Sequence, residues 1–162
     1  MRKIISIFIF LLLLVGCSLS NTPTSKVEDL LSKYQMLDND IKIGIENILE
    51  EETLTQTQKD RYRKIIEKQY KNLAYEIKDE KIDGNIATIT TEIEVYDYKK
   101  IINEINNTYS GELYNDAKLD ALEKVKDKVI YTIDFQVIKD NNGNWKLSEL
   151  SEEIIKKIQG MY

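Results

Sequence analysis

The sequence predicts an α+β domain in which helices pack on an antiparallel sheet, carried behind a short export segment. Apolar residues recur at helical spacing from Val27 to Leu73. The period then falls to two over residues 75–95, and again over 129–137, with a turn signal at Asp83-Gly84 inside the first stretch and at Asp140 to Asn144 after the second. Helices first and paired strands after them are the order of an α+β arrangement, in which an antiparallel sheet needs helices over its apolar face.

The first element is not part of the fold. Arg2 and Lys3 lead into an apolar run from Ile4 to Val15, and Leu14-Val15-Gly16-Cys17 closes it. A basic start, an apolar core and small residues at the end read as an export signal, residues 1–16. The run is too short to cross a bilayer core of about 30 Å as a helix. Leu14-Val15-Gly16-Cys17 resembles the lipobox of bacterial lipoproteins. That resemblance implies that the Cys17 thiol is acylated and that Cys17 becomes the new N-terminus. Residues 17–25 then form a lipidated tether with the sole proline, Pro23, and residues 26–162 a single domain. From Ser18 to Ser25 the tether reaches at most about 26 Å.

Ser25 and Glu28 have the spacing of a capping box, and Val27, Leu30, Leu31, Tyr34, Ile41, Ile45 and Ile48 form the stripe of a helix. Asp38-Asn39-Asp40 or Gly44 is where that helix is expected to bend. A second box, Thr55 with Gln58, opens another helix with the stripe Tyr62, Ile65, Ile66, Tyr70 and Leu73. Tyr75 and Ile77 begin a strand, Asp83-Gly84 signals a two-residue hairpin loop, and Ala87, Ile89, Thr91, Ile93 and Val95 line one face of a long return strand. Residues 99–128 read as an interrupted helical stretch. Ile101, Ile102 and Ile105 make one stripe, Asn106 to Gly111 breaks it, and Ala117, Ala121, Leu122 and Val125 resume it. Val129, Tyr131, Ile133, Phe135 and Val137 then form a strand face, Asp140 to Asn144 turns the chain, and Trp145-Lys146-Leu147 pairs back. Ser151 caps a last helix bearing Ile154, Ile155 and Ile158. Leu150 and Ile155 stand at staple positions, and Gly160 suits the stop.

Composition excludes several chemistries. Cys17 is the single cysteine and there is no histidine, so a disulfide, a cysteine zinc site and the Ser-His and Cys-His nucleophile arrangements are all absent. The chain carries 23 basic and 28 acidic residues. Removing Arg2 and Lys3 with the signal leaves 21 against 28, a net charge of −7. That balance argues against nucleic-acid binding and leaves membrane attachment to the lipid.

Across the domain, Thr22-Pro23-Thr24 with Val27-Glu28, Lys33-Tyr34-Gln35, Tyr75-Glu76-Ile77, Asp83-Gly84 and Glu94-Val95-Tyr96-Asp97-Tyr98 resemble a group of small Gram-positive bacterial lipoproteins. The likeness continues through Tyr131-Thr132-Ile133-Asp134-Phe135, Gly143 with Trp145, and Lys157-Ile158 with Gly160. It implies a nuclear transport factor 2-like (cystatin-like) domain, with a curved sheet wrapped around helices as a cone. It also implies a location on the outer face of the plasma membrane, and it brings no activity with it.

Three constellations carry residues with potential chemistry. Asp140, Asn142, Gly143 and Glu149 match positions 3, 5, 6 and 12 of a calcium loop, but Ile138 stands where the first oxygen ligand belongs, so a hairpin turn is expected. Glu50-Glu51-Glu52 and Asp38-Asn39-Asp40 read as solvated charge runs. Tyr34, Tyr62, Tyr70, Tyr75, Tyr96 and Tyr131 fall on or beside apolar stripes. They are either core aromatics or the lining of a cone cavity for a small apolar ligand. The expected function is a membrane-anchored, non-enzymatic binding module for a peptide, an envelope protein or a small apolar ligand. No cofactor, metal or catalytic residue is assigned, and Cys17 is the lipid attachment site. The alternative is a cofactor-free acid-base enzyme of isomerase or dehydratase type using the cavity.

Overall fold

The structure is a computed structural model and describes residues 21–106 and 112–162. The export segment, Cys17 and the break at residues 107–111 lie outside the described residues. Within them are six helices and four strands: α1 (Pro23–Met36), α2 (Asn39–Glu51), α3 (Gln56–Lys71), β1 (Ala74–Asp83), β2 (Ile86–Tyr96), α4 (Tyr98–Asn106), α5 (Glu112–Lys124), β3 (Lys128–Lys139), β4 (Trp145–Leu147) and α6 (Glu152–Gln159). The sheet is an antiparallel meander in the order β1-β2-β3-β4. This is the α+β arrangement that the change of period predicts.

Helix α1 starts earlier than its expected box. Thr22 is the N-cap, its hydroxyl accepts from the Ser25 N–H, and Pro23 occupies the first turn, where its missing N–H costs nothing. Pro23, Thr24 and Ser25, counted above with the tether, are therefore in the helix, and Ser25 closes a box with Thr22 instead of opening one with Glu28. A bulge in β1 between Ile77 and Asp79 turns Glu80 toward this helix end, where its carboxylate accepts from the Thr24 N–H and hydroxyl.

The expected bend is a full break. Leu37 takes the left-handed conformation (φ 50°) and Asp38 caps α2 through the Ile41 N–H at 3.0 Å. Gly44 lies inside α2 with open space around it, so the bend belongs to Leu37-Asp38. Thr55 and Gln58 form their box as expected. The first hairpin is displaced by one residue. Asp83 pairs with Ile86, so the loop is Gly84-Asn85, with φ +60° at Gly84 and no positive φ at Asn85, as a type II′ turn requires.

One face of the sheet is dry. Ala87, Ile89, Thr91, Ile93 and Val95 of β2 are fully buried, with Ile133, Phe135 and Val137 of β3 beside them. Helix α1 crosses this face against all four strands, and α3 and α6 lie on β2. The face's partners on the helices are Val27 and Leu31 of α1, Ile65 and Ile66 of α3, and Ile158 of α6. The helical face after β2 is Tyr98, Leu119, Leu122 and Val125, all buried, whereas Ala117 and Ala121 are only half-buried. The staple at α6 is incomplete: Leu150 packs on the core but Ile155 is exposed, because Ile154 and Ile158 take the inward positions.

Candidate functional site

Three buried tyrosines meet where α3, α4 and α6 come together. Tyr62 and Tyr70 come from α3 because its stripe places them eight residues apart on one face, and Tyr98 opens α4. With Ile48, Ile66 and Gln69 they line a cavity that Gln159 and Met161 close. Its volume is about 30 Å³, room for one or two waters and far below the roughly 300 Å³ at which ligand pockets begin. The Tyr-and-Ile lining read from the sequence is present, and the space for an apolar ligand is not. Packing explains the loss. Tyr98 is 1% exposed and donates its hydroxyl proton to the Ile65 carbonyl at 3.1 Å, while Tyr34 meets Tyr70 edge to face at 4.9 Å.

The electrostatics follow from that packing. Burial pushes the Tyr62 phenol up to about 12, helped by the negative field of Glu52, and holds Tyr70 and Tyr98 well above the ordinary phenol value. No carboxylate lines the cavity. Neutral phenols with raised pKa are poor proton acceptors near pH 7. Tyr34, Tyr75, Tyr96 and Tyr131 are only half-buried at the rim of the core.

Other acids are occupied structurally. Asp38 caps α2, and Lys33 lies 3.7 and 3.8 Å from Asp38 and Asp40. The Asp140 carboxylate accepts from the Asn142 and Asn144 N–H groups, both at 2.9 Å, and from Lys146 at 3.0 Å. The loop backbone, with Lys146, holds its carboxyl below the usual range. The candidate calcium loop is thus a hairpin turn, with Gly143 at φ +82°. Glu50 and Glu51 are exposed at the end of α2, and no group of three acids is placed to hold a metal ion among the described residues. Arg61 reaches from α3 to Asp116, Asp120 and Glu123 of α5, and Arg63 holds Glu46 of α2 at 2.7 Å. These forks fasten three helices together.

The outer face of the sheet carries a groove of about 250 Å³ between β1, β2 and β3, where Ala74 and Ile130, both register partners of Glu94, meet Glu76 and Glu92. Lys78 bridges Glu76 (2.7 Å) and Glu92 (2.9 Å), and Lys128 holds Glu94 at 2.7 Å. Ile130 stays 60% exposed beside them, and the outer edge of β1 pairs with no strand. An apolar floor with fixed charges beside an open strand edge suits an extended peptide. Sequence reasoning missed this groove; the signal was Ile130, an isoleucine out of phase with its strand's apolar face. No helix of the described residues is long and apolar enough to cross a membrane. No protein-family model, curated protein or solved structure matches this chain.

Proposed function

We propose that this chain is a lipoprotein, attached through Cys17 to the outer face of the plasma membrane, whose domain is a non-enzymatic module that binds a peptide or an envelope protein at its surface. The observation that carries the binding half is the filled tyrosine cluster. A cavity of about 30 Å³ is itself too small to hold an apolar ligand, whereas the groove at Ile130 is open and about eight times larger. The lining of that cluster, three neutral phenols and two amides without a carboxylate, supports a module without acid-base chemistry. The finer fold reading, a nuclear transport factor 2-like cone, draws support from the helices that precede the sheet and from α1 lying across all four strands. The anchor rests on the resemblance of Leu14-Val15-Gly16-Cys17 to a lipobox.

Peptides selected by display on the folded protein test the reading. Bound peptides are expected to slow amide exchange at Tyr75–Ile77 and to be lost on Ile130→Glu. An apolar dye is expected to leave the tyrosine cluster untouched. One-to-one dye binding abolished by Tyr98→Ala, or turnover of a substrate abolished by a single Asp or Glu substitution, would replace this reading with the small-ligand or enzyme alternative.

A further inference from the structure

We infer that the hairpin-tip end of the sheet is a membrane-docking surface for phospholipid, an inference that rests on the reading of Cys17 as the lipid anchor. Both hairpin turns lie at one end of the molecule. The Gly84-Asn85 loop accepts from Lys139 N–H through the Asn85 carbonyl at 2.8 Å, and the Asp140–Asn144 turn follows directly. The chain enters the domain at this same end. The Asn21 side chain donates to the Gly143 carbonyl and to Asn144 Oδ1, both at 3.3 Å, and accepts from the Trp145 N–H at 2.9 Å. Only four residue steps separate Cys17 from Asn21, which span at most about 14 Å. The usable tether is therefore about half of what the sequence suggested. An acylated Cys17 must hold the hairpin tips at the headgroups, while the other end of the eleven-residue β2 stands about 35 Å away.

What the tips expose fits that position. Ile86 and Ile138 are register partners on the outer face and are 50% and 48% exposed, and Ile82, two residues before the loop, is 52% exposed. Ile82, the register partner of buried Ala87, lies on the inner side and Ile86 and Ile138 on the outer, so half-exposed isoleucines flank the turns on both faces. Lys81, Lys139 and Lys146 balance Glu80, Asp83 and Asp140 here, in a domain whose total is strongly acidic.

The full chain on phosphatidylcholine vesicles, with and without phosphatidylglycerol, supplies the test. A fluorophore is placed at Ile138→Cys, at Ile86→Cys, or at exposed Lys126→Cys at the far end of the sheet. Cosedimentation is scored separately from shielding against an aqueous quencher. In vesicle-bound protein the labels at 86 and 138 are expected to be shielded severalfold more than the label at 126. The pair Ile82→Glu and Ile86→Glu should erase the shielding at 138 while the protein still cosediments and melts as a folded domain. Bound protein with all three labels equally accessible overturns the docking surface and leaves the anchor standing. Protein that does not cosediment overturns the anchor, and the inference with it.

Discussion

The side chain of Gln69 makes both backbone hydrogen bonds of Tyr96. The Tyr96 N–H donates to Oε1 at 2.9 Å, and Nε2 donates to the Tyr96 carbonyl at 3.1 Å. Strand β1 begins at Ala74, opposite Glu94, and so stops short of Tyr96. A primary amide presents one acceptor and two donors at peptide-like spacing, and Gln69, 1% exposed on α3, stands in for the missing strand. Gly160 packs directly over this pair. It has φ +70°, and a Cβ there would collide with the Tyr96 carbonyl and Gln69 Nε2. The end of α6, the last turn of α3 and the end of β2 are thereby joined at one point.

Gln69→Leu keeps the volume and removes both partners, so it should cost about 1–3 kcal/mol through the unsatisfied backbone groups. Gly160→Asn separates conformation from space. Asparagine tolerates a left-handed helix end, so an ordinary C-cap would lose little. Here the Cβ collision makes Asn about as damaging as Ala. Denaturant melts that found Gly160→Asn close to wild type would contradict the close approach.

Phe135 is fully buried, whereas its neighbour Gln136 is exposed and donates to Thr88 Oγ1 at 3.1 Å. Phe135→Ala should cost about 3–5 kcal/mol, and Gln136→Ala should stay within about 0.5 kcal/mol. Equal losses in thermal melts would mean that the outer face of the sheet is covered as well.

Gly44 sits in the interior of α2, and nothing lies within 4 Å of where a Cβ would be. Gly44→Ala should therefore stabilise the domain, by about 0.5–1 kcal/mol, through helix propensity alone. A lower melting temperature would show that this position meets something in the native state.

The fold was legible in the sequence wherever side-chain period carried the information. The buried face of β2, from Ala87 to Val95, follows from alternation alone, and Thr55-Gln58 and Ser151 follow from capping chemistry. Features set by contacts distant in sequence were not legible. The first turn of α1 is held in part by Glu80, fifty-six residues away from Thr24, although its Thr22 cap and Pro23 are local. Leu37 breaks the first helical stripe in a conformation leucine rarely takes. Gln69 did leave a trace: a polar residue four positions after Ile65, on the apolar face of α3, needs a buried partner. The tyrosine cluster was legible as a lining and illegible as a volume, because period assigns faces and cannot say how closely three faces meet.

Stability should be flat across neutral pH and fall at both extremes. Without histidine, nothing ordinarily titrates between the carboxylates and the amines. On the acid side, hydrogen bonds from Arg63 lower the pKa of Glu46 and Asp60, Arg61 lowers Glu123, and Lys100 lowers Asp127. A carboxyl whose folded pKa is depressed contributes stability above its unfolded value, near 4, and loses it as pH falls through the folded value. These pairs are exposed, so each effect is small and salt should weaken it. On the alkaline side the sign reverses. Tyr62, Tyr70 and Tyr98 have raised pKa values, chiefly through burial. From about pH 10 upward the unfolded chain releases phenolic protons that the folded chain still holds, so unfolding becomes easier until the folded values, about 12 for Tyr62, are passed. Tyr98→Phe should make the alkaline fall shallower. It removes one such proton, while its loss of the bond to the Ile65 carbonyl lowers stability at every pH. Melting temperatures from pH 3 to 12 decide this: an alkaline limb identical in wild type and Tyr98→Phe would mean that the buried phenol is not what the folded state protects.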